Sequence, residues 1–134
     1  MPVAEAATVA ARAARIAAAR AQLVIERRRR TRLEEDIETL RQSVNGMENI
    51  RQTVEASNST FREASRRDQA EWRGQLGERY NTNRTQAKTN ARTYLGEMRT
   101  MIQSVNQQRT MLSGQLTAVN NTIRDLERIA NGGF

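Results

Sequence analysis

Trp72-Arg73-Gly74-Gln75-Leu76-Gly77-Glu78-Arg79-Tyr80 lies close to the midpoint of the 134-residue chain and holds its only tryptophan. What stands on either side decides the fold. Before it, Ile16, Ala19, Leu23, Leu33, Ile37, Leu40, Val44, Met47, Val54 and Phe61 follow one alternating three–four spacing. After it, Leu95, Met98, Ile102, Val105, Leu112, Leu116, Val119, Ile123, Leu126 and Ala130 do the same. That spacing gathers each set onto one stripe of a helix, and such a stripe needs a second helix against it. The sequence therefore predicts an all-α fold: one single-domain, long antiparallel helical hairpin, coiled-coil-like, with its bend near Trp72-x-Gly74. An arm of about 55 residues is roughly 80 Å long at 1.5 Å per residue and buries only one stripe. Such a surface-rich hairpin is expected to complete a bundle with a partner.

Helix signals set the expected boundaries. The first arm reads as helix over 11–56, after an Ala-rich start expected to fray. Asn45-Gly46 favours a turn, but the apolar phase crosses from Val44 to Met47 without a slip, so a helix containing a costly glycine is the better reading. Ser57-Asn58-Ser59-Thr60 lowers helix propensity, and Thr60…Glu63 and Asp68…Glu71 match the capping-box pattern. These place a connector at 57–67 and a second helix at 68–130, with Trp72, Leu76 and Tyr80 on one face and Ala87 and Ala91 carrying the stripe to Leu95. Asn131-Gly132-Gly133 reads as a helix stop. Folding back near residue 65 would pair Leu40 with Tyr94 and Leu33 with Ile102.

Composition removes several chemistries. With no cysteine and no histidine, disulfides, His- or Cys-built zinc sites and the usual nucleophile–His arrangements are impossible. No cofactor, metal or small-molecule substrate is expected, and no catalytic residue set stands out. No run reaches the roughly 20 apolar residues that a membrane span needs. The first residues lack the pattern of a secretory leader, so the bacterial cytoplasm is the expected site of synthesis.

The net charge is +7, of which +6 falls in residues 1–32. Arg27-Arg28-Arg29-Arg30-Thr31-Arg32 is the densest charge run, but successive helical residues point about 100° apart, so it forms a collar and not a stripe. Glu34, Glu35, Asp36 and Glu38 follow at once, Arg30 can pair with Glu34, and no stacking aromatics lie near. A solvated or partner-pairing collar outranks a nucleic-acid site, and an Ala/Arg membrane-surface helix over 9–25 ranks lower still. The acidic run reads as a salt-bridged face before a cation site. Met98, Met101 and Met111 read as adaptable packing. Arg30, Arg51 and Arg109 interrupt the stripes at seam positions, where they are expected to seek acidic counterparts and discriminate partners.

Trp72-x-Gly74, with Gly77 and the aromatic Tyr80 in phase behind it, resembles the WXG-motif helical-hairpin superfamily of bacterial type VII secretion. The chain is most similar there to the longer small partner proteins encoded beside LXG-domain toxins, and the likeness in layout covers the whole chain. It implies a non-enzymatic accessory or chaperone-like partner that binds the helical N-terminal region of a toxin, or a second small hairpin protein, and supports export. Hetero-association is then favoured over self-association, with co-export of the subunit open. Trp72, Gly74, Gly77 and Tyr80 would contact the partner, together with the stripe residues Leu33, Ile37, Leu40, Met98, Ile102, Val105 and Leu112. One departure matters: family substrates often carry a tyrosine followed four residues later by an acid. Here Tyr80 is followed by Arg84 and Tyr94 by Met98, with Glu97 one residue early, which points to a subunit that does not bear the signal. Two readings of other classes remain beside it: a self-assembling structural coiled coil and a basic nucleic-acid-binding protein.

Overall fold

The computed structural model describes the backbone of residues 2–71 and 75–133 and the side chains of 4–63 and 77–133. Two helices, α1 (Pro2–Glu71) and α2 (Gln75–Ala130), pack against each other as a helical hairpin, with no strand among the described residues. Trp72 and Gly74 lie outside the described residues. The expected hairpin stands; its boundaries move.

Helix α1 starts at Pro2 and not at residue 11. Proline suits a first helical position because its missing N–H would have no partner there, and the alanines behind it are the strongest helix formers. The helix then continues through the segment expected as a connector, 57–67. Thr60 Oγ1 donates to the Ala56 carbonyl at 3.1 Å, while Thr53 does the same to Asn49 at 2.9 Å. These small polar residues satisfy themselves on the helix and do not unwind it. Both capping-box matches therefore fall inside α1. Gly46 is helical and exposed, as the uninterrupted phase required.

With α1 running on to Glu71, the register shifts. A fold-back near 65 would set Arg27 opposite residue 107; its Nη2 instead donates to Glu127 Oε1 at 3.2 Å. Ile102 joins Val44 and Met98 in one cluster, whereas Leu33 joins Val119 and Ile123 in another. Neither Leu33–Ile102 nor Leu40–Tyr94 is a seam pair, since Tyr94 is exposed.

By internal contacts the chain divides into two units, Met1–Thr39 with Gln108–Phe134, and Leu40–Gln107. In the first, Ala19, Leu23 and Leu33 of α1 bury against Val119, Ile123 and Ala130 of α2, with Leu112, Leu116, Leu126 and Ile129 packed around them. Glu26 is also buried in this seam, and its Oε1 accepts a hydrogen bond from Gln22 Nε2 at 3.1 Å. The C-terminus of α2 closes as a Schellman motif. Gly133 N–H donates to Arg128 O at 2.8 Å and Gly132 N–H to Ile129 O at 2.9 Å, with Gly132 at φ 85°. Arg12 Nη2 then donates to Gly132 O at 2.9 Å, tying this cap to α1.

In the second unit Val44, Met98 and Ile102 form the core, with Met47 and Val105 against them. Leu95 and Gly77 are buried as well. Beyond Val54 and Leu95 the seam turns mostly polar: the half-buried positions include Asn58 and Arg62 on α1, and Tyr80, Asn81, Arg84, Lys88 and Ala91 on α2. Phe61, expected in the stripe, is exposed, and so is Ala87. A straight α-helix of 3.6 residues per turn overtakes a strict 3.5-residue pattern by about 20° per heptad. By Asn58 that drift makes the next inward step four residues, to Arg62, and Phe61 rotates out.

Ile123, buried deepest in the first unit, is expected to lose about 2–4 kcal/mol of stability on Ile123→Ala, read by chemical unfolding followed by circular dichroism. Gly132→Ala should cost about 1–2 kcal/mol, because alanine resists the left-handed conformation. An unchanged midpoint in either variant would contradict the packing described.

Candidate functional site

The seam residues first considered for partner binding are largely used by the hairpin itself. Leu33, Met98 and Ile102 are buried between α1 and α2, and Ile37, Leu40, Val105 and Leu112 are half-buried. Gly77 is buried and Tyr80 half-buried near the start of α2. What remains accessible lies beside the seam, and it differs between the two sides.

Lettering the seam positions a and d, so that Leu23, Val44, Arg51, Leu95, Ile102 and Ile123 are a, each helix has an e flank and a g flank. In an antiparallel pair e faces e and g faces g. The e flank is charged and bridged by ion pairs. Arg27 meets Glu127 across it in the first unit, and Glu55 Oε1 accepts from Arg99 Nη2 at 3.2 Å in the second. Glu55 also accepts from Arg51 Nη1 at 2.8 Å, and Arg51 Nε donates to Glu48 Oε2 at 2.8 Å.

Arg51 therefore finds its acids in its own chain. The residues three before and four after it on α1 are carboxylates, and both reach back to its guanidinium. The Glu48 hydrogen bond raises Arg51 above the ordinary arginine value; desolvation opposes it, and the charges of Glu48 and Glu55 and the Glu55 hydrogen bond add to the rise. A raised cation pKa stabilises the fold below the unfolded value and loses that contribution only as pH rises beyond it. For arginine the loss falls in strongly alkaline solution, so this network is constant through the neutral range. Arg30 is half-buried and sits 3.9 Å from Glu34 on its own helix. Arg109 is half-buried and makes no salt bridge among the described residues, so of the three seam arginines it alone keeps the expected demand for an outside acid.

The g flank has the opposite character. In the second unit Ile50, Tyr94 and Met101 all occupy g positions and are 48%, 42% and 55% exposed, and Phe61 is 39% exposed on the same side. Sequence reading missed this row because three–four spacing reveals only the stripe buried first. Its signal was present in residues 42–61, where Glu48, Arg51 and Glu55 are the only charges and none falls on the g flank. In the first unit Val9, Val24, Ile25 and Met111 are exposed as well. Of the arginine collar, Arg27 is tied to α2, while Arg28, Arg29 and Arg32 are exposed.

Among the described residues no group of acidic side chains is placed to hold a metal ion, and no helix is long and apolar enough to cross a membrane. Comparison with known protein families, curated proteins and solved structures finds no match to this chain.

The Arg27–Glu127 pair is half exposed on both sides. Glu127→Gln is expected to lower stability by under about 1 kcal/mol, with the deficit shrinking in high salt. A larger, salt-independent loss measured by urea unfolding would show that Glu127 does more than pair with Arg27.

Proposed function

We propose that this chain is a non-enzymatic accessory subunit that binds the helical N-terminal region of a type VII secretion toxin of the LXG kind and supports its export. The observation that carries this reading is the row of exposed large apolar side chains beside the seam. Ile50, Phe61, Tyr94 and Met101 are all exposed on one side of the seam in the second unit. Solitary exposed apolar residues are ordinary; a row of them beside an ion-paired flank marks a surface that another molecule covers.

Three further points support it. The helical hairpin is the layout that the Trp72-x-Gly74 resemblance implies. Gly77, one of the motif's small residues, is buried beside half-buried Tyr80. Tyr80 and Tyr94 lack an acid four residues on, which suits a subunit that relies on its cargo for the export signal. Association is by side-by-side helix packing, with Arg109 seeking an acid on the partner and so rejecting partners that lack one. The subunit works in the bacterial cytoplasm before export, and hetero-association is its main state when cargo is present.

Co-expression with the helical N-terminal segment of the toxin encoded next to this gene tests the role. A stable complex in affinity capture and gel filtration is expected, weakened tenfold or more by Arg109→Glu if that arginine selects the partner. A chain that ignores every such segment would sink the proposal.

A further inference from the structure

We infer that the cleft shared by Arg62 and Arg92 on the e flank of the Leu40–Gln107 unit is a binding site for a phosphate monoester. The Ile50, Tyr94 and Met101 row occupies the g flank, so cargo capture and phosphate binding can fail separately.

Charge pairing along the e flank breaks down at one place. Arg27 meets Glu127 in the first unit and Glu55 meets Arg99 in the second, each at 3.2 Å. One heptad on from Glu55 is Arg62, and one heptad back from Arg99 is Arg92. The register that joins Glu55 to Arg99 therefore sets two arginines against each other. Neither has an acid on its own helix to turn to. None of the residues three or four away from either one is acidic, and two of them, Arg66 and Lys88, are basic. Glu63 follows Arg62 directly but points about 100° away, to the outer f position. Arg51, by contrast, is met by Glu48 and Glu55 at those same spacings.

The two arginines line one cleft of about 420 Å³, together with Asn58 and Ser59 of α1, Gly96 and Arg99 of α2, and a single carboxylate, Glu55. That carboxylate is already taken, because Glu55 Oε1 accepts from Arg51 Nη1 at 2.8 Å and from Arg99 Nη2 at 3.2 Å. Arg62 is half-buried, and its Nε is covered without a hydrogen-bond partner. Arg92 makes no salt bridge among the described residues. A covered guanidinium N–H that lacks an acceptor and faces a second cation is an arrangement that an anion relieves. Gly96 keeps the cleft open on the α2 side. Nothing lies within 4 Å of where its Cβ would stand, so packing inside the chain does not call for a glycine, a poor helix former, at this position.

The chemistry of the cleft selects its ligand. Each guanidinium presents a planar fork of N–H groups that matches two oxygens of a phosphate or a carboxylate. Two unmet positive charges are balanced by a phosphate monoester, which carries close to two negative charges at neutral pH. A carboxylate or a phosphodiester, with one charge, would leave one arginine unmet. Asn58 and Ser59 add neutral side chains able to donate to the remaining oxygens. The volume falls within the roughly 300–1,000 Å³ of small-molecule sites and leaves space for the body that carries the phosphate. That body can be a soluble ester or a lipid headgroup.

Titration calorimetry of the full chain with glycerol 3-phosphate at pH 8 should show one site per chain. Binding should weaken as pH falls below about 6, where the ester takes up its second proton while the arginines keep their charge. Arg62→Gln and Arg92→Gln should each weaken binding roughly tenfold or more, with helicity unchanged. Arg92→Glu places an acid opposite Arg62, so it should abolish binding and raise the thermal midpoint of the free chain. Arg28→Gln removes the same charge from the exposed collar and should leave binding unchanged. Absence of binding overturns the inference. So does binding that acetate matches, or that Arg28→Gln weakens as much as Arg92→Gln, since either shows only general attraction to a +7 chain. A midpoint lowered by Arg92→Glu overturns it too, because the two arginines then do not face each other. Vesicles of phosphatidylcholine with phosphatidic acid separate the sources: binding to them that Arg92→Gln abolishes, without binding of glycerol 3-phosphate, keeps the site and makes its ligand a lipid headgroup. Toxin capture lost in Arg92→Glu, with no phosphate bound from either source, overturns the inference and gives the arginine pair to an acid of the cargo. Phosphate binding without toxin capture leaves it standing and removes the proposed role.

Discussion

Everything in this hairpin depends on one seam, in which a stripe from α1 and a stripe from α2 exclude water from each other. Neither helix can hold itself together in water by backbone hydrogen bonds alone at useful stability, and most of each helix surface is polar. Burial of a large apolar side chain contributes about 1.5–3 kcal/mol. The first unit concentrates these at Leu23, Leu33, Val119 and Ile123, and the second at Val44, Met98 and Ile102. Where apolar residues run out, at Asn58, Arg62, Arg84 and Lys88, the seam holds its geometry with little apolar burial behind it. The exposed residues Phe61 and Tyr94 belong to that same unit.

Ion pairing refines what the seam sets. Surface pairs contribute little individually, but opposite charges at matching e positions favour one register over others. Arg27–Glu127 and Glu55–Arg99 both span the helices at e positions, one in each unit. The Arg51 network does more locally. An arginine at a seam position is an expensive residue unless its charge is met, and Glu48 and Glu55 meet it from the same helix. That arrangement leaves Arg51 with its charge already met inside the chain.

The heptad stripes were legible because apolar periodicity over many turns has no competing explanation. Every α2 residue assigned to the stripe from Leu95 to Ala130 is buried or half-buried. The connector was misread because its signals are local and weak. Ser57–Thr60 and two capping-box matches suggest a break, yet within an established helix each costs only tenths of a kcal/mol, and the Thr60 hydroxyl returns to the helix backbone. Placing the connector at 57–67 and the fold-back near 65 moved every cross-helix pair. Phe61 was lost to the drift between 3.5 and 3.6 residues per turn, which no count of spacings reveals until a partner helix fixes which side is inward. The candidate site followed the same logic: Leu33, Met98 and Ile102 were recognised as buried positions, but not that α1 and α2 would cover them for each other.

That last point reverses the usual inference from stripe to interface. In a single amphipathic helix the apolar face is the binding face, whereas in a hairpin it is consumed by folding, and what is left over carries the information about partners. Here the remainder is lopsided. Selection for solubility alone would scatter charge over both flanks, since exposed helix positions accept lysine, arginine or glutamate at almost no cost. One flank of the second unit carries charge at Glu48, Glu55, Arg92 and Arg99, and the other carries Ile50, Tyr94 and Met101 beside a glycine that the fold does not need. A flank kept free of charge, in a chain this rich in arginine, is more economically explained by a contact than by chance in composition.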